Sequence, residues 1–278
     1  MNITKHAILV LCLICSCGLL AQSKPEIIGK SKFTIGETIE FHSIILDENR
    51  KLNIYLPSSY EEATKKNYPV IYLLDGSASE DFIHLAGLVQ FGSFPWINQL
   101  PESILVGIEN VDRKHDFTYP TKNIQDQKDF PTSGGSASFI QFIGSEVQAL
   151  IEKNYRTNSD KTIIGQSFGG LLVSEILLKN PNLFDNYIII SPSLWWDDES
   201  LLETTALTSS LSKSIYIGVG KEGEIMERVS KDLFDKLNNK KPINYSIHFN
   251  YFEQLSHGDT LHLAVYDAFD TIFKNGKQ

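Results

Sequence analysis

The chain has 278 residues and a formal charge of −9, from 25 basic and 34 acidic side chains. That length supports one sizeable core, and the acidic balance argues against nucleic-acid binding through an electrostatic footprint. All three cysteines, Cys12, Cys15 and Cys17, lie in the first 22 residues. A chain without that segment has no disulfide, zinc–thiolate site or cysteine nucleophile.

Residues 1–22, MNITKHAILVLCLICSCGLLAQ, place Lys5 ahead of an apolar run from Ala7 to Ala21 with small residues near its end. This is the pattern of a secretory signal peptide, too short and too N-terminal for a stable membrane span. Cleavage is expected after Ala21 or Gln22. It leaves residues 23–278 as a single exported domain, periplasmic or secreted, at charge −10 because Lys5 is the one charged residue lost. Ile14-Cys15-Ser16 ahead of Cys17 is a poor lipoprotein motif, which leaves a lipid anchor at Cys17 as the alternative.

Residues 23–32 read as a lead-in. Phe33 to Leu46 and Lys51 to Leu56 read as two antiparallel strands joined at Asp47 to Arg50. Pro69 to Leu74 is a continuous apolar run, the mark of a strand buried on both faces. Phe82 to Gly92 has helical character, and Ser103 to Glu109 is the next buried strand. Asn110 to Ala137 shows little regular pattern, and a loop of that length inside a domain is usually functional. Its Asp112, Arg113 and Asp116 suggest a salt-bridged loop, and Pro131 to Gly135 a flap at the entrance of a cleft.

Ser138 to Tyr155 reads as an amphipathic helix leading into Lys161 to Leu178, KTIIGQSFGGLLVSEILL. The remaining strands are Tyr187 to Ile190, Ser214 to Val219 and Tyr245 to Phe252. Helices follow at Met226 to Asn238 and Leu261 to Phe273. Strands alternating with helices predict an α/β fold with a mostly parallel central sheet covered on both faces.

Within that order, Gly165-Gln166-Ser167-Phe168-Gly169 lies between a buried strand and a helix, the context of a nucleophile elbow. The turn is sharp, so glycine is expected on both sides of Ser167, where a Cβ at Gly165 or Gly169 would collide. Gly170 is expected to let the helix pack closely on the sheet. A serine hydroxyl needs a neighbouring base. His257, in Leu255-Ser256-His257-Gly258-Asp259, follows the last strand at the appropriate end of the sheet. His42 and His248 fall in strands, His84 and His262 on helices, and His115 in the long loop. Glu222 and Glu224, after the strand ending at Gly220, are the two candidates for the acid that orients the imidazole. Glu222 is preferred for its place in the tight turn. The backbone N–H of Phe168 and that of Gly76 or Ser77 are the expected oxyanion donors. Trp195 and Trp196 are candidates for an aromatic substrate wall, with a place in the core as the competing role.

GQSFGG, Tyr72 to Gly76, Gly107 to Arg113, Ser191 to Trp196 and His257-Gly258 together resemble the α/β-hydrolase esterase family that includes enterochelin (ferric-siderophore) esterases, S-formylglutathione hydrolases, feruloyl and acetyl xylan esterases and mycolyltransferases. The resemblance spans about Ile39 to Phe273, and the Trp195-Trp196 pair is most like the siderophore-esterase branch. It implies a Ser167–Glu222 (or Glu224)–His257 acyl transfer through an acyl-enzyme on a small-molecule ester, with no metal or organic cofactor. An acyltransferase on the same fold, a carbohydrate esterase and a non-catalytic binding protein are the alternatives.

Overall fold

The computed structural model describes residues 25–239 and 241–274. The leader expected at residues 1–22, Cys17 included, lies outside the described residues. Residues 25–34 carry no helix or strand. From Ile35 onward the chain builds one eight-stranded sheet in the order β1-β2-β4-β3-β5-β6-β7-β8. The strands are β1 (Glu37–Ser43), β2 (Glu48–Tyr55), β3 (Tyr68–Leu73), β4 (Ile104–Ile108), β5 (Thr157–Gln166), β6 (Asn186–Ile190), β7 (Lys213–Gly220) and β8 (Tyr245–Phe252). β1 and β2 pair antiparallel, β2 joins β4 antiparallel, and every pairing from β4 across to β8 is parallel.

The helices are α1 (Phe82–Gly92), α2 (Arg113–Phe117), α3 (Ile124–Asp129), α4 (Ser136–Phe142), α5 (Gln148–Asn154), α6 (Phe168–Lys179), α7 (Ser200–Glu203), α8 (Glu224–Asn239) and α9 (His257–Phe269). A π-helical turn, Ile143–Val147, joins α4 to α5, and another, Asp270–Lys274, extends α9.

Successive strand residues point to opposite faces, so the apolar runs feed two cores. Val70, Tyr72, Ile163, Tyr187, Ile189, Ile215 and Ile217 pack with residues of α4, α5, α6 and α8 on one face. Ile71, Leu73, Ile164, Ile188, Ile190 and Tyr216 pack on the other with Leu85 and Val89 of α1 and Leu261, Val265 and Phe269 of α9. This is the sheet with helices on both faces that the alternation of elements predicts.

Three differences from the sequence reading bear on the site. The first strand starts at Glu37, later than Phe33, and the turn falls at residues 44–47, with Asp47 at φ 53°. Arg50 is therefore a β2 residue with its side chain inside the protein. It meets Asp116 at 2.5 Å and lies 5.0 Å from the centre of the Phe139 ring. That pair pins down the segment after Asn110, which is built from α2 and α3 rather than irregular loop. Asp112 and Asn123 cap those two helices through their side chains, a use for which short polar residues are well suited. The third difference concerns His257, which opens the closing helix four residues before its expected start.

Candidate active site

Ser167 sits between β5 and α6 at φ 60° and ψ −120°, a region sparsely populated by non-glycine residues. Its N–H donates to Ile190 O at 3.1 Å, and its carbonyl accepts from Leu171 at 2.9 Å and Ser193 at 3.0 Å. The turn is thus fixed on every side, the strained strand-to-helix geometry of a nucleophile elbow. The glycines divide the steric work differently from expectation. A Cβ on Gly165 would lie 2.4 Å from Gly169 O, and one on Gly170 would lie 2.8 Å from Ile190 O and 3.0 Å from Pro192 Cα. A Cβ on Gly169 would come no nearer than 3.4 Å to Asp75 Oδ2, ordinary contact. The expected collision at Gly169 is corrected: the carbonyl of this residue, rather than its missing side chain, crowds the turn.

His257, after β8, and Glu222, after β7, come together from positions 35 residues apart. Nδ1 of His257 lies 2.5 Å from Glu222 Oε2. The Glu222 side chain is 1% exposed and the imidazole 47% exposed, so the ring is open to solvent while the carboxyl is shielded behind it. Glu222 Oε1 accepts from Ser191 Oγ at 2.5 Å and Gly220 N at 2.9 Å, with Thr260 Oγ1 at 3.2 Å. Burial opposes ionisation of this carboxyl, but the hydrogen bonds from His257, Ser191 and Gly220 outweigh it and its pKa is lowered. Glu224 is the exposed first residue of α8.

The backbone of His257 is tied to the elbow, because Gln166 Nε2 donates to His257 O at 2.6 Å. Ser167 Oγ has Ser193 Oγ as a neighbour at 3.3 Å, and among the described residues no hydrogen bond joins it to the imidazole. Such bonds commonly tighten only with substrate in place.

Phe168 is the first residue of α6, where a helix leaves its N–H groups without intrahelical partners. The facing loop follows β3. There the Gly76 N–H donates to Ile108 O at 3.0 Å, which removes Gly76 from the oxyanion donors expected from sequence. Ser77 N has only a long contact to Glu80 Oε2 at 3.4 Å. The loop is firmly held. Asp75, at φ 55°, receives Arg113 at 2.6 and 2.9 Å and Asn110 at 2.7 Å, and Asn53 donates to Gly76 O at 2.9 Å. Arg113 also donates to Gln166 O at 3.3 Å. Asp112, Arg113 and Asp116 are thus engaged with partners outside their own trio, because α2 turns the three side chains in different directions.

Trp196 is fully buried, donates from Nε1 to Tyr119 O at 2.9 Å and packs edge-on to Phe168. It is a core residue, the competing role, which takes it out of the candidate substrate wall. Trp195 is half-buried and packs on Phe168 and Phe130 with ring centres 5.8 and 6.3 Å away. The expected flap at residues 131–135 is anchored by Gly135 N to His115 O at 2.8 Å and Gly134 N to Thr118 Oγ1 at 3.0 Å.

A cavity of about 610 Å³ opens elsewhere, between Asp160, Asp185, Asn186 and Ser214 near the starts of the strands. None of its lining residues is a histidine. Convergent chemistry rather than volume therefore marks the site. Among the described residues no cluster of three or more His, Cys, Asp or Glu side chains is arranged to hold a metal ion, and no helix is long and apolar enough to cross a membrane.

A mostly parallel sheet with a strained serine elbow at the C-terminal end of a central strand defines an α/β hydrolase. A protein-family model described as Putative esterase matches residues 43–258, and the chain belongs to that family. It is 33% identical over 180 residues to the ferri-bacillibactin esterase BesA of Bacillus subtilis, an alignment covering 60% of this chain and 62% of that relative. Among solved structures, an IroE-like serine hydrolase from Shewanella oneidensis superposes with a TM-score of 0.78 at 29% identity, covering 86% of this chain and 80% of the other. The BES protein from Bacillus cereus also gives 0.78, at 26% identity, covering 90% of this chain and 99% of the other.

Proposed function

We propose that the protein is an exported serine esterase that cleaves carboxylic esters through an acyl-enzyme, with siderophore-type esters as its substrate class. The observation that carries the reading is the 2.5 Å pairing of His257 with shielded Glu222, on a helix tied to the Ser167 elbow by Gln166. In this reading His257 Nε2 takes the Ser167 proton as Oγ attacks the ester carbonyl, and Glu222 stabilises the imidazolium. The N–H groups of Phe168 and Ser77 receive the oxyanion, each such donor being worth about 3–4 kcal/mol in the transition state. The imidazolium then protonates the leaving alcohol. Water, activated by the same imidazole, releases the acid and restores Ser167.

The siderophore assignment is supported by the relative named for ferri-bacillibactin. It is also supported by the character of the surround: Phe130 and Trp195 pack around Phe168, and Lys114 lies 5.2 Å from the Phe130 ring. Aromatic faces beside cations suit an anionic aromatic ester. Export rests on the residue 1–22 leader, with anchoring at Cys17 as its lipoprotein form.

The test is hydrolysis of p-nitrophenyl acetate, p-nitrophenyl butyrate and a catecholate trilactone by residues 23–278 and by Ser167→Ala. Turnover of the trilactone that falls by about three orders of magnitude or more in the variant is the expected result. Equal inertness of both proteins, with no phosphonate label on either, rejects the reading.

A further inference from the structure

Ser191 is the residue next to the site whose chemistry the acyl-transfer scheme leaves unused. It follows β6 directly, between the strand that carries the elbow and the strand that carries the acid. Its N–H donates to Gly218 O of β7 at 2.8 Å, while the preceding Ile190 carbonyl accepts from the Ser167 N–H at 3.1 Å. Its side chain is fully buried, and its φ of 44° is one that non-glycine residues rarely adopt. A strained backbone, a buried hydroxyl and a 2.5 Å contact with Glu222 Oε1 occur at one residue.

The Glu222 carboxylate has three neighbours on Oε1, and they are not equivalent. Thr260 Oγ1 carries one proton and lies nearer to Ser256 O, at 2.7 Å, than to Oε1, at 3.2 Å. Its proton is therefore spent on the backbone of its own helix. Gly220 N–H at 2.9 Å belongs to the same turn as Glu222 and moves with it. Ser191 alone donates a side-chain proton from beyond the end of a different strand, β6, and among the described residues its Oγ has no other acceptor.

We propose that Ser191 is a positioning residue for the acyl-transfer reaction. It clamps Glu222 Oε1 so that Oε2 stays on His257 Nδ1 and the carboxylate remains ionised in its shielded site. The inference rests on the esterase reading above. Removing the hydroxyl leaves a buried carboxylate oxygen with one backbone donor, which costs more than the bond itself is worth net. The carboxylate is then free to rotate, and the imidazole loses its fixed orientation. Substrate contacts are not touched, so the effect falls on kcat and not on KM.

A double-mutant cycle on the full chain isolates this role, using Ser191→Ala, Glu222→Gln and the two combined, with p-nitrophenyl butyrate as the ester. Ser191→Ala is expected to lower kcat by about tenfold or more with KM nearly unchanged, and to add almost nothing in the Glu222→Gln background. Ser191→Gly removes the hydroxyl while relieving the backbone strain, so it is expected to fold at least as stably as Ser191→Ala and to lose the same kcat. Wild-type kcat in either Ser191 variant overturns the proposal, as does a Ser191→Ala loss that multiplies in full with that of Glu222→Gln. Wild-type activity in Glu222→Gln itself overturns the triad beneath it, and so separates the two failures.

Discussion

Nδ1 of His257 meets Glu222 Oε2 at 2.5 Å, while Glu224, two residues further along, is the exposed first residue of a helix. The two glutamates were equally available in chemistry and nearly so in sequence. The turn after β7 directs one inward, and the other starts α8.

Their separation predicts unequal mutants. Glu222→Gln is expected to lower kcat/KM by about 10⁴-fold, the loss that follows when the acid of a triad is neutralised. Glu224→Gln is expected to stay within about twofold, as exposed substitutions away from such features usually do. Steady-state kinetics of the two variants on one p-nitrophenyl ester decide the matter, and the reverse ranking rejects the Glu222 assignment.

The same carboxyl gives a pH dependence of stability. Its folded-state pKa lies below the ordinary value of 4.5, because its hydrogen bonds outweigh burial. A carboxylate of that kind contributes stability that is present above the unfolded value and lost as pH falls through the folded one. The stability advantage of wild type over Glu222→Gln is therefore expected to shrink as pH is lowered from about 4.5. Urea unfolding at stepped pH measures it; an advantage that grows on acidification contradicts the assignment.

Glycine substitutions at the elbow should separate sharply. Gly165→Ala pushes a methyl to 2.4 Å from Gly169 O and 2.9 Å from Val173 Cγ2. With backbone as the main obstacle, a loss of about 1–3 kcal/mol or more is expected, together with most of the activity. Gly169→Ala meets only ordinary contacts, the nearest at 3.4 Å, and lies in the first turn of α6. It is expected to be neutral or slightly stabilising, since alanine favours helix over glycine by roughly 1 kcal/mol. Thermal unfolding of both proteins provides the comparison.

The two tryptophans are expected to part company as well. Trp196→Ala empties a fully buried site and strands the Tyr119 carbonyl, and should cost about 3–5 kcal/mol. Trp195→Ala, at the half-buried face of the Phe168–Phe130 cluster, should alter KM for aromatic esters more than it alters stability. Denaturant midpoints and KM values measured together test the division.

The parts of this protein legible in its sequence are those fixed by near neighbours along the chain. Continuous apolar runs located β3, β4, β6 and β7 to within a residue or two, because strands covered on both faces are apolar at successive positions. β5 begins at Thr157, five residues before its apolar run, in a polar stretch that carries no such signal. Ser167 could be singled out because a strand, a glycine-flanked turn and a helix are all written within 18 residues, 161–178. His257 followed from its place after the last strand. The short helices α2 and α3 escaped because each holds too few residues for a periodic signal, and because Arg50, 66 positions away from Asp116, supplies the anchor.

Tertiary structure alone decided which side chains are buried and which backbone N–H groups are already bonded. Trp196 and Trp195 are adjacent in sequence and both pack on Phe168, yet only the first is fully buried, with its Nε1 bonded to Tyr119 O. The Gly76 N–H is spent on Ile108 O, a bond from the loop after β3 to the end of β4 that no local pattern announces. Ser191 reads as an ordinary residue before proline until β6 and β7 bring its hydroxyl to Glu222. A sequence determines, through local sterics and periodicity, where a nucleophile can stand. Which carboxylate meets His257, and which N–H groups are already bonded, depends on hydrogen bonds closed across tens of residues, and those exist only once the sheet has assembled.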